Sequence, residues 1–385
     1  MQILGYLRPD GRVGVRNHVL VLPVSYEVNA IAEQITRTVP EAVTFRNQHG
    51  VNQAGADLAQ TLRVYEGFAT HPNVYAVLIL AWGHEPYDLH KLKAAARAAG
   101  KPAELLVLTE MGGVRRALRE GIQWVSTQVE ARAGVQRVEV PLASIILGTE
   151  CGGSDACSGI SGNPALGVVS DLLVEQGGTS ILAETTELIG AEHLLAERAA
   201  TPEIGRQILH IVQRLEENAM KMGVDIRGAQ PSPGNMDGGI TTIEEKSLGC
   251  IYKGGSTPVR QVVEYAERPT ERGLVIMDTP GHDIEQMTGM VAGGAQVVIF
   301  TTGRGTPTGS PIAPCIKVAT NSFTYHNMRD NIDFNAGVII DGEATVAETG
   351  RRLFALMLEV LNGRETQAEK LGHREFGIYR VGQSL

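Results

Sequence analysis

The stretch Gly148-Thr-Glu-Cys-Gly-Gly-Ser-Asp-Ala-Cys-Ser-Gly159 joins a strand pattern to a helix pattern. Ala143 to Leu147 before it is a short apolar run that predicts a buried strand, and Asn163 to Gln176 after it predicts a helix. In open α/β sheets, loops at the carboxyl ends of strands line the binding crevice. Gly152 and Gly153 allow backbone amides to approach an anion closely. We therefore expect a ligand at this turn.

Strand-like and helix-like segments alternate on both sides of the turn, a pattern typical of βαβ units. The predicted fold class is α/β, with two doubly wound, mainly parallel-sheet (Rossmann-like) domains at residues 1–140 and 141–385; the second carries the main catalytic motifs. The predicted strands are His18 to Val24, Val43 to Arg46, Val74 to Ala81, Glu104 to Leu108, Ala143 to Leu147, Ser180 to Ala183, Leu274 to Met277, Val297 to Phe300 and Ile316 to Ala319. The clearest predicted helices are Pro86 to Ala99, Asn163 to Gln176, Ile204 to Met222 and Ala344 to Leu361.

Amino-acid composition and net charge exclude several classes of protein. The chain has 385 residues, 43% of them hydrophobic, and a formal net charge of −9. That charge argues against nucleic acid and anionic membranes as partners, because both need clustered cations. No apolar run approaches the roughly 20 residues of a spanning helix, and the N-terminus lacks a signal-peptide core. A cytoplasmic enzyme acting on a small molecule is the expectation.

The four cysteines are too few for a disulfide scaffold in a chain of this length. None forms a CxxC pair, so a structural zinc site is not expected. Cys157 and Cys315 are most simply interpreted as small buried hydrophobic residues. Cys151 lies in the glycine turn, where helix N-terminal amides could stabilise a thiolate. For Cys151 a functional and a structural role remain open.

Polar loops follow several predicted strands, where side chains are delivered to the crevice. Glu187 is more simply interpreted as a helix cap, and Glu184, nearer the strand end, is the better catalytic candidate. A Gly-, Pro- and Ser-rich stretch from Gly228 to Thr257 also carries polar residues, and loops of this length are usually functional or disordered. The side chains singled out are His49, His84, Glu85, Glu150, Ser154, Asp155, Asn163, Glu184, Asn235 and Lys253.

A further loop places Arg304 between Gly303 and Gly305, directly after an apolar strand. With Thr302 beside it, this arrangement predicts an anion-binding concavity with a two-pronged donor for a carboxylate. No strand followed by GxGxxG and a helix occurs in the first unit, so a nicotinamide enzyme is disfavoured. The Walker A spacing is absent as well.

Taken in order, these motifs resemble the altronate and galactarate dehydratase family over essentially the whole chain. The resemblance implies lyase chemistry on small hydroxy acids, assisted by a divalent metal that is typically iron. The matching stretches are Gly5-Tyr-Leu-Arg-Pro-Asp-Gly-Arg-Val-Gly-Val-Arg-Asn-His18, Gly148-Thr-Glu-Cys-Gly-Gly-Ser-Asp155, Asn163-Pro-Ala-Leu-Gly167, Met277-Asp-Thr-Pro-Gly281, Phe300-Thr-Thr-Gly-Arg-Gly305, Lys317-Val-Ala-Thr-Asn321 and Asn331-Ile-Asp-Phe-Asn-Ala-Gly337.

Two thiols common in the family are replaced here, one by Val51 and one by His84, which leaves Cys151 as the clear match. A cysteine-only metal or cluster site is therefore not expected. Imidazole and carboxylate ligands suit a single Fe²⁺, Mn²⁺ or Zn²⁺ ion, with Mg²⁺ as a further alternative. The predicted metal ligands are His84, Glu85, Glu150 and Cys151.

The chemistry implied by the resemblance is removal of a proton next to a carboxylate, with loss of hydroxide or sulfite from the neighbouring carbon. Such a reaction needs cations, a base and an acid. The predicted catalytic residues are Glu184, Asp155, Lys253, Lys317 and His49, and the predicted substrate-binding residues are Arg304, Ser154, Asn163, Thr302 and Asn235.

Three functions remain open from the sequence. The first is dehydration of a sugar acid such as altronate or galactarate to a 2-keto-3-deoxy acid. The second is the large subunit of a sulfolactate sulfo-lyase, and the third is a non-catalytic subunit that binds sugar acids. Single-chain dehydratases carry a small N-terminal domain before the motif that starts here at Gly5, so a separate small subunit is expected. A homo-oligomer is expected as well.

Overall fold

Three β-sheets organise residues 1–382, the part of the chain that the computed structural model describes, with residue 229 described through its backbone alone. The strands are β1 (Gln2–Leu7), β2 (Val13–Gly14), β3 (His18–Pro23), β4 (Ala42–Val43), β5 (Val74–Ala81), β6 (Ala103–Val107), β7 (Val138–Pro141), β8 (Ile146–Cys151), β9 (Thr179–Leu182), β10 (Val259–Val263), β11 (Gly273–Met277), β12 (Val297–Thr302), β13 (Cys315–Ala319) and β14 (Phe334–Asn335). The helices are α1 (Asn29–Thr38), α2 (Gly55–Thr70), α3 (Leu89–Ala98), α4 (Val114–Arg132), α5 (Gly162–Glu175), α6 (Glu192–Glu197), α7 (Pro202–Lys221), α8 (Ile226–Ala229), α9 (Pro233–Asp237), α10 (Ile243–Cys250), α11 (Asp283–Ala292), α12 (Ser322–Asn327), α13 (Val346–Leu361) and α14 (Gln367–Leu371).

The first unit is a four-stranded parallel sheet in the order β4-β3-β5-β6, with helices on both faces. Alternate residues of β3 point to opposite faces, so that Val19 and Val21 pack with α1 and α4. Leu20 and Leu22 pack on the other face with α2 and α3. A parallel strand buried on both faces needs a continuous apolar run, which is what the sequence of β3 supplies.

The second unit is a seven-stranded parallel sheet in the order β10-β11-β9-β8-β12-β13-β14. Helices α5, α7 and α13 cover one face and α11 covers the other. The predicted α/β class is therefore confirmed. Strand β8 lies between β9 and β12, so its carboxyl end opens at the middle of the sheet.

The strand predicted at Ala143 to Leu147 was placed too early. Residues Leu142–Ser144 form a 3₁₀ turn, and the strand runs over Ile146–Cys151. Its ladders explain the difference, since Ile146 pairs with Thr179 on one side and Cys151 pairs with Thr301 on the other. Glu150 and Cys151 are thus strand residues rather than turn residues.

Further differences lie at the sheet edges. The strand predicted at Val43 to Arg46 is limited to β4, which pairs with β3 at two positions. An antiparallel sheet of β2, β1 and β7 joins the chain start to the segment between the two units, and it was not predicted.

Cys315 is buried as expected, whereas Cys157 is half-exposed. Within residues 1–382, no helix has both the length and the apolar character needed to cross a membrane.

The two units share a core where α2 packs against α11. A Cβ atom at Gly67 would lie 2.3 Å from the Ala292 carbonyl oxygen, so this close approach of two helices needs glycine. Phe68 of α2 and Met287 of α11 belong to one buried apolar cluster. Relative movement of the units would therefore expose apolar surface.

The segment Phe376–Gly382 crosses this seam. The Phe376 ring stacks on Phe45 with 3.8 Å between ring centroids, and it meets Phe68 edge-on at 5.2 Å. The Gly377 amide donates to the Thr288 hydroxyl of α11 at 3.2 Å. Farther along, the Gly382 amide donates to Asp57 of α2 at 2.9 Å. The segment is thus bonded to both units.

We predict that Phe376→Ala lowers the stability of the shared core. Removing a buried aromatic ring typically costs about 3 to 5 kcal/mol, and Phe376 is 8% exposed. Urea unfolding followed by tryptophan fluorescence measures the change, with Phe323→Ala as the control because Phe323 is 79% exposed. An equal midpoint for Phe376→Ala and the parent protein would contradict the role given to this segment.

Candidate active site

Seven ionisable side chains converge at the carboxyl ends of β8 and β9. Strand β8 delivers two of them, the segment after β9 delivers two, and α10 with the 3₁₀ turn Ile251–Gly254 delivers the rest. All but one are at least 96% buried, and the side chain of Lys246 is 11% exposed. The seven are Glu150, Cys151, Glu184, Glu187, Lys246, Cys250 and Lys253.

Lys253 is the cation at the centre of this cluster. Its ammonium donates to Glu187 Oε2 at 2.6 Å and lies 3.0 Å from Cys151 Sγ. Burial opposes ionisation of Glu187, but the charges of Lys253 and Lys246 outweigh it and lower the Glu187 pKa to about 2. Glu187 and Lys253 therefore form a buried ion pair, and Glu187 is not a helix cap as the sequence suggested.

The thiols of Cys151 and Cys250 lie 3.5 Å apart, and Cys151 Sγ is also 3.2 Å from Glu187 Oε2. Burial raises the pKa of Cys250 well above its usual value. Burial also opposes ionisation of Cys151, but the hydrogen bond from Cys250 and the Lys253 charge lower the Cys151 pKa overall. Cys151 is thus the more acidic thiol of the pair.

Glu184 is held in a strained backbone conformation. Its φ of 69° and ψ of 79° lie in the left-handed region, which residues other than glycine rarely adopt. The Glu184 amide donates to Thr279 Oγ1 at 2.6 Å, and the next amide donates to the Thr279 carbonyl at 3.1 Å. These bonds turn the Glu184 side chain into the cluster, where Lys246 Nζ lies 3.5 Å from Oε1.

A single amide group links Glu184 to Glu150. Gln286 Nε2 donates to Glu150 Oε1 at 2.6 Å and to Glu184 Oε2 at 2.8 Å. Burial raises the pKa of Glu150 well above its usual value, and the nearby Asp283 and Glu184 charges raise it further. Burial and the Glu187 charge likewise raise the pKa of Glu184. Both carboxyl groups are therefore less acidic than exposed ones, which suits groups that accept and donate protons.

A cavity of about 220 Å³ adjoins the cluster. Asn163 at its wall accepts a hydrogen bond from Thr301 at 2.6 Å and donates to the Gly249 carbonyl at 3.1 Å. Its mouth carries exposed apolar side chains, among them Ile160 and Tyr252. The polar residues that line it are Ser154, Asp155, Ser158, Asn163, Glu245, Lys246 and Cys250. The lining thus combines apolar surface with several polar side chains, and the volume suits a small ligand.

Asp155 ties the loops of the site together. Its Oδ1 accepts from the Ser158 and Thr320 hydroxyls, both at 2.8 Å, and Oδ2 accepts from Asn321 Nδ2 at 2.9 Å. These partners come from the loops after β8 and β13. The neighbouring Ser154 hydroxyl is buried and has no hydrogen-bond partner among the described residues, so its hydrogen-bonding capacity is free for a ligand.

The other predicted substrate-binding residues lie on loops beside the glycine turn. Arg304 is exposed and its Nη1 donates to the Gly234 carbonyl at 2.9 Å. Asn235 is buried and donates to the Ser154 carbonyl at 3.1 Å. Thr302 Oγ1 accepts from the Gly305 amide at 2.9 Å. The helix α9 is thereby docked against the loops that carry Ser154 and Arg304.

Other predicted residues lie outside the cluster of seven. His49 Nε2 lies 2.7 Å from the Ile378 carbonyl oxygen, at the C-terminal segment. His84 is exposed against the Trp82 ring, and the Glu85 carboxylate accepts the Trp82 and Gly83 amides, both at 2.7 Å. Lys317 is buried on β13, with no hydrogen-bond partner for its ammonium within residues 1–382.

A buried group able to hold a metal ion is present. Cys151, Glu187 and Cys250 each offer one ligand atom, and these atoms lie within 4.8 Å of one another. Among the residues described, neither His84, Glu85 nor Glu150 joins a group of three or more such ligands. The donor set of two sulfurs and one carboxylate suits Fe²⁺ or Zn²⁺ better than Mg²⁺.

Comparison with known proteins supports a common ancestry for the whole chain. A family model described as D-galactarate/altronate dehydratase, C-terminal, matches residues 142–384. A second, described as D-galactarate dehydratase/altronate hydrolase, second domain, matches residues 5–133. This chain belongs to the D-galactarate/altronate dehydratase family. The resemblance seen in its motifs is confirmed.

Individual relatives in this family differ in the reaction they are named for. The chain is 35% identical to altronate dehydratase of Bacillus subtilis, over 99% of this chain and 78% of that protein. It is 37% identical to (2R)-sulfolactate sulfo-lyase subunit beta of Chromohalobacter salexigens, over 99% and 98%. It is 42% identical to galactarate dehydratase (L-threo-forming) of Escherichia coli, over 63% and 47%. All three are lyases, and this family member is accordingly an enzyme of the lyase class.

Sequence reasoning did not single out four residues of the site: Glu187, Lys246, Cys250 and Gln286. Cys250 lies 99 positions from Cys151, so the thiol pair has no spacing signal. Lys246 lies in the stretch from Gly228 to Thr257, from which only Asn235 and Lys253 were selected, and the structure forms α10 there. A polar residue within the apolar helix α11 was the available signal for Gln286.

We predict that Glu187→Gln destabilises the protein in a pH-dependent way. The buried pair with Lys253 is broken, which typically costs about 3 to 5 kcal/mol. Because the Glu187 pKa is lowered to about 2, its stabilising effect is present above about pH 4.5 and is lost as the pH falls toward 2. Urea unfolding between pH 6 and pH 2.5 should therefore show a difference between variant and parent that shrinks on acidification.

Glu203→Gln is the matched control, since the Glu203 side chain pairs with Arg206 at the surface and is 62% exposed. Exposed pairs contribute about 0 to 1 kcal/mol. A Glu187→Gln difference as small as that of the control, or one that stays constant with pH, would contradict the assignment of a buried ion pair.

Proposed function

We propose that this chain is a hydro-lyase that removes water from a small sugar acid such as altronate or galactarate, giving a 2-keto-3-deoxy acid. The observation that carries the proposal is the buried cluster beside the cavity, in which Glu150 and Glu184 have raised pKa values and Lys246 and Lys253 supply positive charge. The relatives named for altronate and galactarate support the substrate class.

The reaction places distinct demands on the site. A proton bound to the carbon next to a carboxylate is weakly acidic, and its removal leaves an enediolate with two negative charges. Cations must stabilise this intermediate, a base must accept the proton, and an acid must protonate the departing hydroxyl. A low-dielectric site strengthens each of these electrostatic interactions.

Glu184 is the proposed base. Its raised pKa makes its carboxylate more basic than an ordinary one, and the strained backbone fixes the side chain in one direction. Lys246 lies 3.5 Å from its Oε1 and would remain beside the charge that develops on the substrate. Glu150 is the proposed acid, because burial raises its pKa and so favours the protonated form that can donate to the leaving hydroxyl.

Among the further predicted catalytic residues, Asp155 has its carboxylate engaged with three side chains, which supports a role in ordering loops. Lys253 contributes charge next to Cys151 and Glu187. Roles for His49 and Lys317 stay predictions. The amino group of Lys317 is buried, burial lowers its pKa, and it has no hydrogen-bond partner within residues 1–382.

A divalent metal is the proposed cofactor, with Fe²⁺ expected and Mn²⁺, Zn²⁺ or Mg²⁺ as alternatives. Cys151, Glu187 and Cys250 are the residues that would hold it. When bound, such an ion supplies Lewis-acid polarisation of substrate oxygens. Lys253 already contacts Cys151 and Glu187, so the chain's own part is to keep the ligand atoms together.

Substrate binding is proposed for the loops around the cavity. Arg304 would hold the substrate carboxylate, since a guanidinium offers two parallel donors to it. Thr302, Ser154, Asn163 and Asn235 would orient the hydroxyl groups, with the unpaired Ser154 hydroxyl as the most direct contact. Engagement of Arg304 requires it to release the Gly234 carbonyl, which is a weak surface contact.

A second candidate is release of sulfite from sulfolactate. The match to the sulfo-lyase subunit beta extends over 98% of that protein, and it is the observation that favours this alternative. Because that relative is named as a subunit, a separate small partner in the active assembly is also proposed. A homo-oligomer remains part of the proposal. A non-catalytic binding subunit would bind a sugar acid without releasing product.

We predict that the purified protein with Fe²⁺ converts a sugar acid to its 2-keto-3-deoxy product, and that Glu184→Gln lowers kcat at least about 100-fold, the range for loss of a general base. Product analysis against altronate, galactarate and sulfolactate, with and without a cognate small subunit, measures this. Glu343→Gln is the control, because Glu343 is exposed and outside the site. Sulfite release would select the second candidate, and saturable binding without product would contradict both.

We predict that Cys250→Ser lowers the bound metal content, because a hydroxyl is a poorer ligand than a thiolate for Fe²⁺ or Zn²⁺. His84→Ala is the comparison variant, since the sequence predicted His84 as a ligand and the structure has it exposed. Metal analysis of both proteins after dialysis separates the two ligand sets. Loss of metal in His84→Ala with full content in Cys250→Ser would overturn the proposed group.

A further inference from the structure

We propose that Gln286 is a positioning residue for the reaction, which fixes the Glu150 and Glu184 carboxyl groups relative to each other and leaves Glu150 Oε2 for the substrate. The inference rests on the function proposed above, because it assigns a purpose to the spacing of the acid and the base. It adds a residue from α11, an element that supplies neither.

The amide of Gln286 is the shared partner of both carboxyl groups. A side-chain amide carries two N–H donors, so one nitrogen can serve two acceptors. Here Nε2 reaches Glu150 Oε1 at 2.6 Å and Glu184 Oε2 at 2.8 Å, and the side chain is fully buried. The two carboxyl oxygens are therefore held within one hydrogen-bond bridge of each other.

Two acceptor atoms are left over. Glu150 Oε2 and Gln286 Oε1 are buried and have no hydrogen-bond partner among residues 1–382. Leaving a buried polar atom without a partner destabilises a protein, so the two atoms indicate that a polar group binds beside them. Hydroxyl groups of a substrate would satisfy both atoms. The unpaired atoms thus lie where the proposed acid would meet a leaving hydroxyl.

Helix α11 is suited to hold such a bridge. Next to Gln286, the Glu285 carbonyl accepts the Tyr265 hydroxyl at 2.7 Å, and two residues on, Thr288 accepts the Gly377 amide at 3.2 Å. The helix also approaches the glycine turn, since a Cβ at Gly152 would lie 2.3 Å from Asp283 Oδ2. Functional groups carried on rigid elements are held more accurately than those on loops.

Gln296 shows what a structural glutamine looks like in the same protein. Its Nε2 donates to the carbonyls of Val13 and Ser144, both at 2.9 Å, and its Oε1 accepts the Ile146 amide at 2.6 Å. All three partners are backbone groups that join β8 to the rest of the fold. The side-chain amide of Gln286, in contrast, donates to two carboxyl groups of the site.

The test compares Gln286→Met with Gln296→Met, since methionine keeps the length of glutamine but removes its hydrogen bonds. Gln286→Met should lower kcat about 100-fold, the order expected when reacting groups are misplaced by about 1 Å, while KM stays within about threefold and the melting temperature changes little. Gln296→Met should lower the melting temperature and leave kcat of the folded protein unchanged. The reverse pattern, or equal kcat values for both variants, would overturn the proposal.

Two further measurements test whether the position of the Gln286 amide is what matters. Gln286→Asn keeps the amide but is one methylene shorter, so it should lose activity as Gln286→Met does if position is what matters. A crystal structure of Gln286→Met should show the Glu150 and Glu184 carboxyls displaced. If the parent protein turned over none of the tested acids, the proposed function would fail, and unmoved carboxyls in that crystal structure would separately overturn the role of Gln286.

Discussion

The Lys253 ammonium is the charge on which the rest of the site depends. Several acidic groups are removed from water at one point, and burial of an isolated carboxylate is far too costly for a folded protein to sustain. Lys253 lies 2.6 Å from Glu187 and 3.0 Å from Cys151, and together with Lys246 it lowers the Glu187 pKa against the effect of burial. Burial and the Glu187 charge raise the pKa of Glu184, and burial with the Asp283 and Glu184 charges raises that of Glu150. The carboxyl groups of one cluster thus differ in acidity, with the Glu187 pKa lowered and those of Glu184 and Glu150 raised.

The sheet explains why these groups meet. Parallel strands present their carboxyl ends at one edge, so polar residues from distant parts of the chain can converge there without disturbing the apolar strand centres. Strand β8 is apolar at Leu147 and turns acidic at Glu150, just where its ladder ends. The three bonds of Asp155 then fasten the loops after β8 and β13. Side-chain hydrogen bonds, rather than strand pairing, therefore hold these loops in place at the edge of the sheet.

Local pattern predicted the fold class and most strand positions of the sheets, because these follow from short apolar runs. It also selected four members of the cluster of seven, Glu150, Cys151, Glu184 and Lys253. The other residues of the site, and the exact strand ends, depend on contacts between segments that lie far apart in the sequence. Cys250 meets Cys151 only through the docking of α10, and Glu187 became an ion-pair partner only because Lys253 is buried opposite it. The shift of β8 has a similar origin, since its ladder partners on β9 and β12 determine which residues are strand. No single stretch of sequence contains that information.

Helix α11 connects this chemistry to the seam between the two units. One side of the helix packs on α2 through the close contact at Gly67, and another side carries the amide that bridges Glu150 and Glu184. The C-terminal segment bonds to the same helix through Thr288 and to α2 through Asp57. A displacement of the first unit would therefore move the amide as well as expose core. Among the described residues, Gln286 is the common partner of the two carboxyl groups. The packing of α11 against α2 therefore helps to set the distance between the acid and the base. The shared core of the two units is in this sense part of the active site.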